Sequence, residues 1–445
     1  MNAPICDFVR SYAARQALRL HMPGHKGRGP LGVEALDITE IPGADSLYEA
    51  SGVIRESEEN TSRLFGCPTL YSTEGSSLCI RAMLYLALLH AKAQGRKPRI
   101  VAGRNAHKTF LSAAALLDLD VVWLNPAPGD SYQSCSVSAA KLERLLNGMD
   151  APAAVYLTSP DYLGNTVDVA AIAEVCHRRG VLLLVDNAHG AYLRFLPASR
   201  HPIDLGADLC CDSAHKTLPV LTGGAYLHLS SAAPQICHAQ ARTALALFGS
   251  TSPSYLILQS LDAANVALSD GYQESLARFA EEVSSLKLRL QAKGWLLQGD
   301  EPLKLTLRAK SRGYTGTELA QALEDKNIVC EFADPDFLVL MLTPEIGFDD
   351  LQRLEAALDA LPLRPAIQDE PPAFQSAARA LPIREAALSP CETLSVERCL
   401  GRILAASTVG CPPAVPILVC GERIDEHALA CFRYYGISDC AVVRE

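Results

Sequence analysis

The sequence predicts an α/β fold: a mostly parallel sheet of the seven-stranded type covered on both faces, a smaller α/β domain, and a C-terminal α+β tail. Three observations predict it. From about residue 99, short continuous apolar runs alternate with amphipathic stretches, the pattern of strands buried on both faces by crossover helices. A long helical stretch then precedes two further strand-like runs. A proline-rich segment at 363–372 sets off the last part of the chain.

Each element has its own reason. Residues 99–103, with Ile100 and Val101, read as a strand, and 107–117 as the helix after it. The next pairs are strand 121–124 with helix 137–146, and strand 154–158 with helix 169–179. Runs 181–185 and 209–212 are strands, and 224–229 closes the series. The helical region spans about 254–293, with Gly271 as its break. Runs 303–307 and 337–342 are strands of the smaller domain, and 351–361 is its last helix. At 445 residues the chain exceeds one ordinary core. The expected domains are 1–255, 256–365 and 373–445.

Hydrophobic residues make up 49% and charged residues 20% of the chain, the balance of a globular protein. A net charge of −10 without a basic cluster argues against a nucleic-acid partner. Residues 1–7 lack the charged and apolar regions of an export signal. Apolar runs such as 80–89 are broken by Arg81 and too short to span a bilayer. The 15 cysteines are scattered and show no paired spacing, as reduced core thiols do. A cytoplasmic protein with no membrane partner is expected.

Ligands of such sheets sit at the carboxyl ends of the strands, where Thr158, Asp186 and Lys216 fall. A carboxylate and a lysine ending neighbouring strands suit pyridoxal phosphate, which takes a lysine amine into a Schiff base and an anion beside its pyridine nitrogen. Lys216 lies in 213–217, before the flexible 221–224 stretch, and a partly buried setting favours its uncharged amine. Gly75, Ser76 and Ser77 precede the apolar helical run 78–90, and a glycine with two hydroxyls at a helix N-terminus makes an anion site. His107 stands at another strand-to-helix junction, either as a helix start or as a ring against the cofactor. His21 and His25 flank Pro23 and Gly24, which exclude helical spacing, so no metal is expected. Glu331, Asp334 and Glu422 are candidates for holding a basic substrate side chain.

These motifs, in order, resemble the Orn/Lys/Arg decarboxylase family, pyridoxal-phosphate enzymes of fold type I (aspartate aminotransferase-like). The resemblance rests on residues 21–27, 37–40, 43–47, 75–77, 104–108, 159–164, 186–190, 213–217 and 412–422. It implies that Lys216 carries the cofactor and that Asp186 partners the pyridine nitrogen. It places Ser76, Ser77, Ser213 and His215 around the phosphate and His107 on the ring, with Thr158 and His189 nearby. It further implies decarboxylation of a basic amino acid, arginine first and lysine or ornithine next, as in polyamine biosynthesis. Lys216 or His215 would protonate Cα. The family's N-terminal wing is not matched, so a short form is expected, working as a homodimer with shared active sites. Asp161 stands where threonine is common, and Asn187 where short relatives often have glutamate. The alternatives are an aminotransferase or lyase on the same scaffold, or a non-catalytic regulatory protein of that fold.

Overall fold

The structure, a computed structural model, describes residues 1–126, 132, 135–410 and 415–445. The chain begins with helices α1 (Pro4–Ala14) and α2 (Val53–Phe65) and enters a short strand, β1 (Thr69–Ser72). Helix α3 (Gly75–Ala93) leads into β2 (Arg99–Gly103), α4 (Lys108–Leu117), β3 (Asp120–Leu124) and α5 (Ala139–Asn147). Then come β4 (Ala154–Thr158), α6 (Val169–Arg178), β5 (Leu182–Asp186), β6 (Leu209–Asp212), the one-turn helix α7 (Ala214–Thr217) and β7 (Ala225–Leu229). Helices α8 (Gln235–Phe248), α9 (Tyr255–Ser269) and α10 (Tyr272–Ala292) follow, the last two separated at Gly271 as expected. The next elements are β8 (Leu297–Gln298), β9 (Lys304–Arg308), α11 (Gly316–Glu324), β10 (Phe332–Ala333), β11 (Phe337–Met341) and α12 (Gly347–Asp359). The chain closes with α13 (Ile383–Leu388), β12 (Cys391–Ser395), β13 (Thr408–Gly410), β14 (Pro416–Val419), α14 (Glu426–Tyr434) and β15 (Asp439–Val443).

Two compact units divide these elements. The first comprises Met1–Arg96 and Gly180–Ser275. Its strands lie in the order β1-β7-β6-β5. Strands β5 and β6 are parallel, with Asp186 opposite Cys211, whereas β7 runs antiparallel to both β6 and β1. Every residue of β5, β6 and β7 is buried, which is why those segments read as unbroken apolar runs. Helix α3 is buried on nearly all sides through Leu78, Met83, Leu84 and Leu86 and packs against α8. Its apolar residues need no single stripe, as for any helix enclosed by its own unit.

The second unit comprises Lys97–Arg179 and Leu276–Glu445. It holds the parallel strands β4-β2-β3, with α5 packed on α6 and α13 on α4. An antiparallel sheet, β10-β11-β9-β8, forms the smaller α/β part, and β12–β15 and β13–β14 pair near the C-terminus. The expected class, α/β with a large and mostly parallel sheet, is what these strands form. Among the described residues no helix is long and apolar enough to cross a membrane.

Candidate active site

In the first unit, four buried apolar residues, Leu182 to Val185, carry β5 to its polar end at Asp186. Asp186 is 2% exposed, and its Oδ1 accepts from the Ala188 backbone N–H at 3.2 Å and the Cys211 thiol at 3.6 Å. The chain then turns sharply, with Gly190 N–H donating to the Asn187 carbonyl at 2.8 Å. A Cβ at Gly190 would lie 2.1 Å from Asn187 Oδ1, so only glycine fits against that side chain. This turn presents His189.

The neighbouring strand β6 ends at Asp212, and the α7 turn after it presents His215 and Lys216. Lys216 Nζ is 3.0 Å from His189 Nε2. The two strand ends, read separately in the sequence, therefore meet through an amine and an imidazole. His215 Nδ1–H donates to the Gly224 carbonyl at 2.9 Å, which fixes its ring and its tautomer.

The anion loop lies in the same unit. Gly75 opens α3 at φ +69°, and a Cβ there would meet nothing within 4 Å. Backbone conformation selects glycine at this point, and the space before the helix stays open. Gly75 N–H is anchored to the Gly223 carbonyl at 2.7 Å. Ser213 Oγ donates to Ser76 Oγ at 2.8 Å, and Ser77 follows in the first turn of α3. An open space at the N-terminus of a 19-residue helix, rimmed by two buried hydroxyls, fits a phosphate. With the amine of Lys216 and the buried carboxylate of Asp186, the donor set fits pyridoxal phosphate.

The remaining expected residues lie in the second unit. His107 is the N-cap of α4, its Nδ1 accepting from Thr109 N–H at 3.2 Å. Thr158 ends β4 and lines a cavity of about 280 Å³ with Asn105, Asp161, Asn165, Thr166 and Asp300. Asp161 builds the turn after β4. Its carboxylate accepts from Leu163 N–H and Asn165 N–H, both at 2.9 Å, and from Asn165 Nδ2 at 2.8 Å. Burial pushes its pKa up.

Two of the three substrate candidates have partners of their own in the structure. Glu422 forms a bidentate pair with the buried guanidinium of Arg104, at 2.9 and 2.8 Å, and also accepts from Val419 N–H at 2.9 Å. Asp334 Oδ1 caps Asp336 N–H at 2.8 Å and Phe337 N–H at 2.7 Å. Both carboxylates are spent on holding their own unit, as buried charges must be. Glu331 is exposed and accepts from Tyr162 O–H at 2.7 Å. Of the tail motif, residues 412–414 lie outside the described residues, and Pro416–Val419 forms β14.

Burial pushes the Asp334 pKa up to about 7 from 3.8. A folded value above the unfolded one means that ionisation costs stability. The cost is absent below the unfolded value, grows as pH rises and is complete above about 7. Asp334→Asn keeps the capping oxygen and removes the charge. It is expected to leave the melting temperature unchanged near the unfolded carboxyl pKa. At pH values well above neutral it should raise stability by on the order of 1–4 kcal/mol. Thermal melts of both proteins across that range check this, and an equal shift at both ends would contradict it.

Comparison with known proteins decides the family. The model of the Orn/Lys/Arg decarboxylase major domain matches residues 3–299. The chain belongs to the Orn/Lys/Arg decarboxylase family. The C-terminal domain of these decarboxylases matches residues 370–440. An uncharacterised Bacillus subtilis protein, YaaO, is 30% identical, with 96% of this chain and 93% of that one covered. An arginine decarboxylase of Bacillus subtilis is 27% identical over 96% of this chain and 92% of its own. The fold is similar to that of the Francisella novicida lysine decarboxylase, with a TM-score of 0.79 at 16% identity, covering 99% of this chain and 81% of that one. This decarboxylase is therefore a pyridoxal-phosphate-dependent enzyme of fold type I.

Sequence reading missed several polar groups of this decarboxylase's first unit. Asp212, His201 and His228 are fully buried together. Their one local signal is a polar residue at an inward position of strands that are otherwise apolar: Asp212 in β6 and His228 in β7.

Proposed function

We propose that this enzyme removes the α-carboxylate of a basic amino acid, with arginine as the first choice and lysine or ornithine next, to give the amine and carbon dioxide. The observation that carries the reading is the meeting of Lys216 and His189 at 3.0 Å beside the strand end that bears Asp186. Arginine as first choice is supported by the arginine decarboxylases among the relatives at 26–27% identity.

When bound, pyridoxal phosphate supplies a sink for the electron pair left behind as carbon dioxide departs. Lys216 would hold the cofactor through its amine. His189, at hydrogen-bond distance from the amine, would take its ammonium proton and so leave Lys216 nucleophilic. Asp186, buried beneath its turn, would partner the pyridine nitrogen. Gly75, Ser76, Ser77 and Ser213 would hold the phosphate, and the family resemblance proposes His107 for the ring. Thr158 lines the polar cavity at the end of β4. Protonation of Cα falls to Lys216 or His215. The tie from His215 Nδ1 to Gly224 leaves its Nε2 as the atom that would exchange the proton.

Glu331 is the carboxylate we retain for the basic end of the substrate. We also retain the three-part organisation 1–255, 256–365 and 373–445, a homodimer with shared sites, and a cytoplasmic setting, the last supported by the buried free thiols. The test is a screen of amino acids for carbon dioxide release, with the amine identified by mass. Carbon dioxide and an amine from arginine, lysine or ornithine, with no keto acid, are expected. A keto acid product would favour an aminotransferase, and release only from non-basic amino acids would overturn the substrate class.

A further inference from the structure

Asp212 is a carboxylate of the first unit held by four buried side chains, and nothing in the chemistry above uses it. It is fully buried, as are Asn187, His201, Cys210 and His228. Its Oδ1 accepts from Asn187 Nδ2–H at 2.7 Å and from the Cys210 thiol at 3.7 Å. Its Oδ2 accepts from His201 Nε2–H and His228 Nε2–H, each at 3.1 Å. His228 completes the chain by accepting at Nδ1 from Thr69 O–H at 2.8 Å. Burial opposes ionisation of Asp212, yet His201 and His228 outweigh it and hold its carboxyl well below the usual range. Burial also lowers the His228 pKa, favouring the neutral ring that accepts at Nδ1.

The placement of these groups ties the network to the site. Asn187 directly follows Asp186, and its backbone N–H bonds to the Cys211 carbonyl at 3.0 Å. Its side chain fills the space against Gly190 and hands its amide to Asp212. Asn187 thus sets the turn that bears Asp186 on one side and His189 on the other. Asp212 itself directly precedes Ser213 and the α7 turn of Lys216. One carboxylate therefore holds both strand ends. The rings behind it have little room to move, because Phe65 packs on His201 and His228 with centroids 5.6 and 4.6 Å away.

We propose that Asp212 is a positioning residue which, held from behind by His201 and His228, locks Asn187 and thereby sets Asp186, His189 and Lys216 in register for the cofactor. The inference rests on the assignment of Asp186 and Lys216 made above. It also gives Asn187 a reason in this chain: an amide there is the donor that a carboxylate at 212 requires, and a glutamate would set two anions against each other.

The test is Asp212→Asn, which keeps shape and removes charge. The folded variant is expected to bind pyridoxal phosphate about 10- to 100-fold more weakly, the range typical of partners behind a ligating shell. The absorption and circular dichroism of the bound cofactor should be displaced, and kcat should fall more than KM rises. The exchange variant Asn187→Asp with Asp212→Asn restores one carboxylate and one amide, so it is expected to recover most of the cofactor affinity. A purely structural role would lower the melting temperature alone. Wild-type affinity and spectrum in folded Asp212→Asn would overturn the proposal. Where that variant does not fold, Asn187→Ala decides, because wild-type cofactor affinity and spectrum there would overturn it equally. Lys216→Ala separates the two readings: cofactor still covalently attached in that variant would sink the site assignment, whatever Asp212→Asn shows.

Discussion

Lys216→Ala is expected to abolish turnover and covalent attachment of pyridoxal phosphate while leaving the fold intact. Lys216 is only partly buried, and the atom lost touches His189 Nε2 at 3.0 Å at the open end of the site. Truncating such a side chain typically shifts stability by about 1 kcal/mol or less. The chemistry has no such tolerance. Without the amine, the cofactor has no covalent anchor here, and the proton exchanged with His189 has lost its partner. The checks are carbon dioxide release from a basic amino acid and the visible band that borohydride reduces. Full decarboxylase activity in the variant would sink the assignment of Lys216. A folded variant without either signal is the expected result.

Asp186→Ala is expected to lose about 100- to 1000-fold in kcat, the cost of removing one preorganised charge from a buried site. Its effect on the fold is separable. The deletion leaves Ala188 N–H and the Cys211 thiol without their acceptor, which costs roughly 1–3 kcal/mol. Asp186→Asn distinguishes the two losses. It keeps an oxygen for both donors and removes the charge, so it should melt close to wild type and be nearly as slow as the alanine variant. Activity of the asparagine variant near the wild-type rate would mean that Asp186 serves the turn and not the cofactor. Steady-state kinetics and melting curves of the two variants, run side by side, decide it.

Most strands of the large sheet were legible as short apolar runs, and β5, closed by Asp186, is buried throughout. Strand β1 was not legible, since Thr69–Ser72 is four residues with three hydroxyls. It becomes a strand through antiparallel pairing with β7, which no local window contains. The residues proposed for the cofactor stand out for a similar reason. Asp186 and Lys216 announce themselves within short motifs, and Gly75 stands where a strand gives way to a helix. The Asp212 network was not legible, because its members come from β1, β6, β7 and two separate loops. The partner of Glu422 was hidden in the same way. A carboxylate near the end of the chain looks available to a basic ligand until the fold brings Arg104 against it.

That last pair bears on how the protein can be shortened. Arg104 stands at the end of β2, at the head of the segment that carries Asn105 and His107, and its buried guanidinium pairs with Glu422 of the C-terminal region. A chain cut at the proline-rich segment would strand a buried guanidinium without its anion, where desolvation penalises a lone charge most. The terminal region is therefore a keystone of the second unit and not an appendage. Trimming for crystallisation, fusion or grafting must keep residues 370–445 with the strands they neutralise, or supply an uncharged residue at position 104 in exchange.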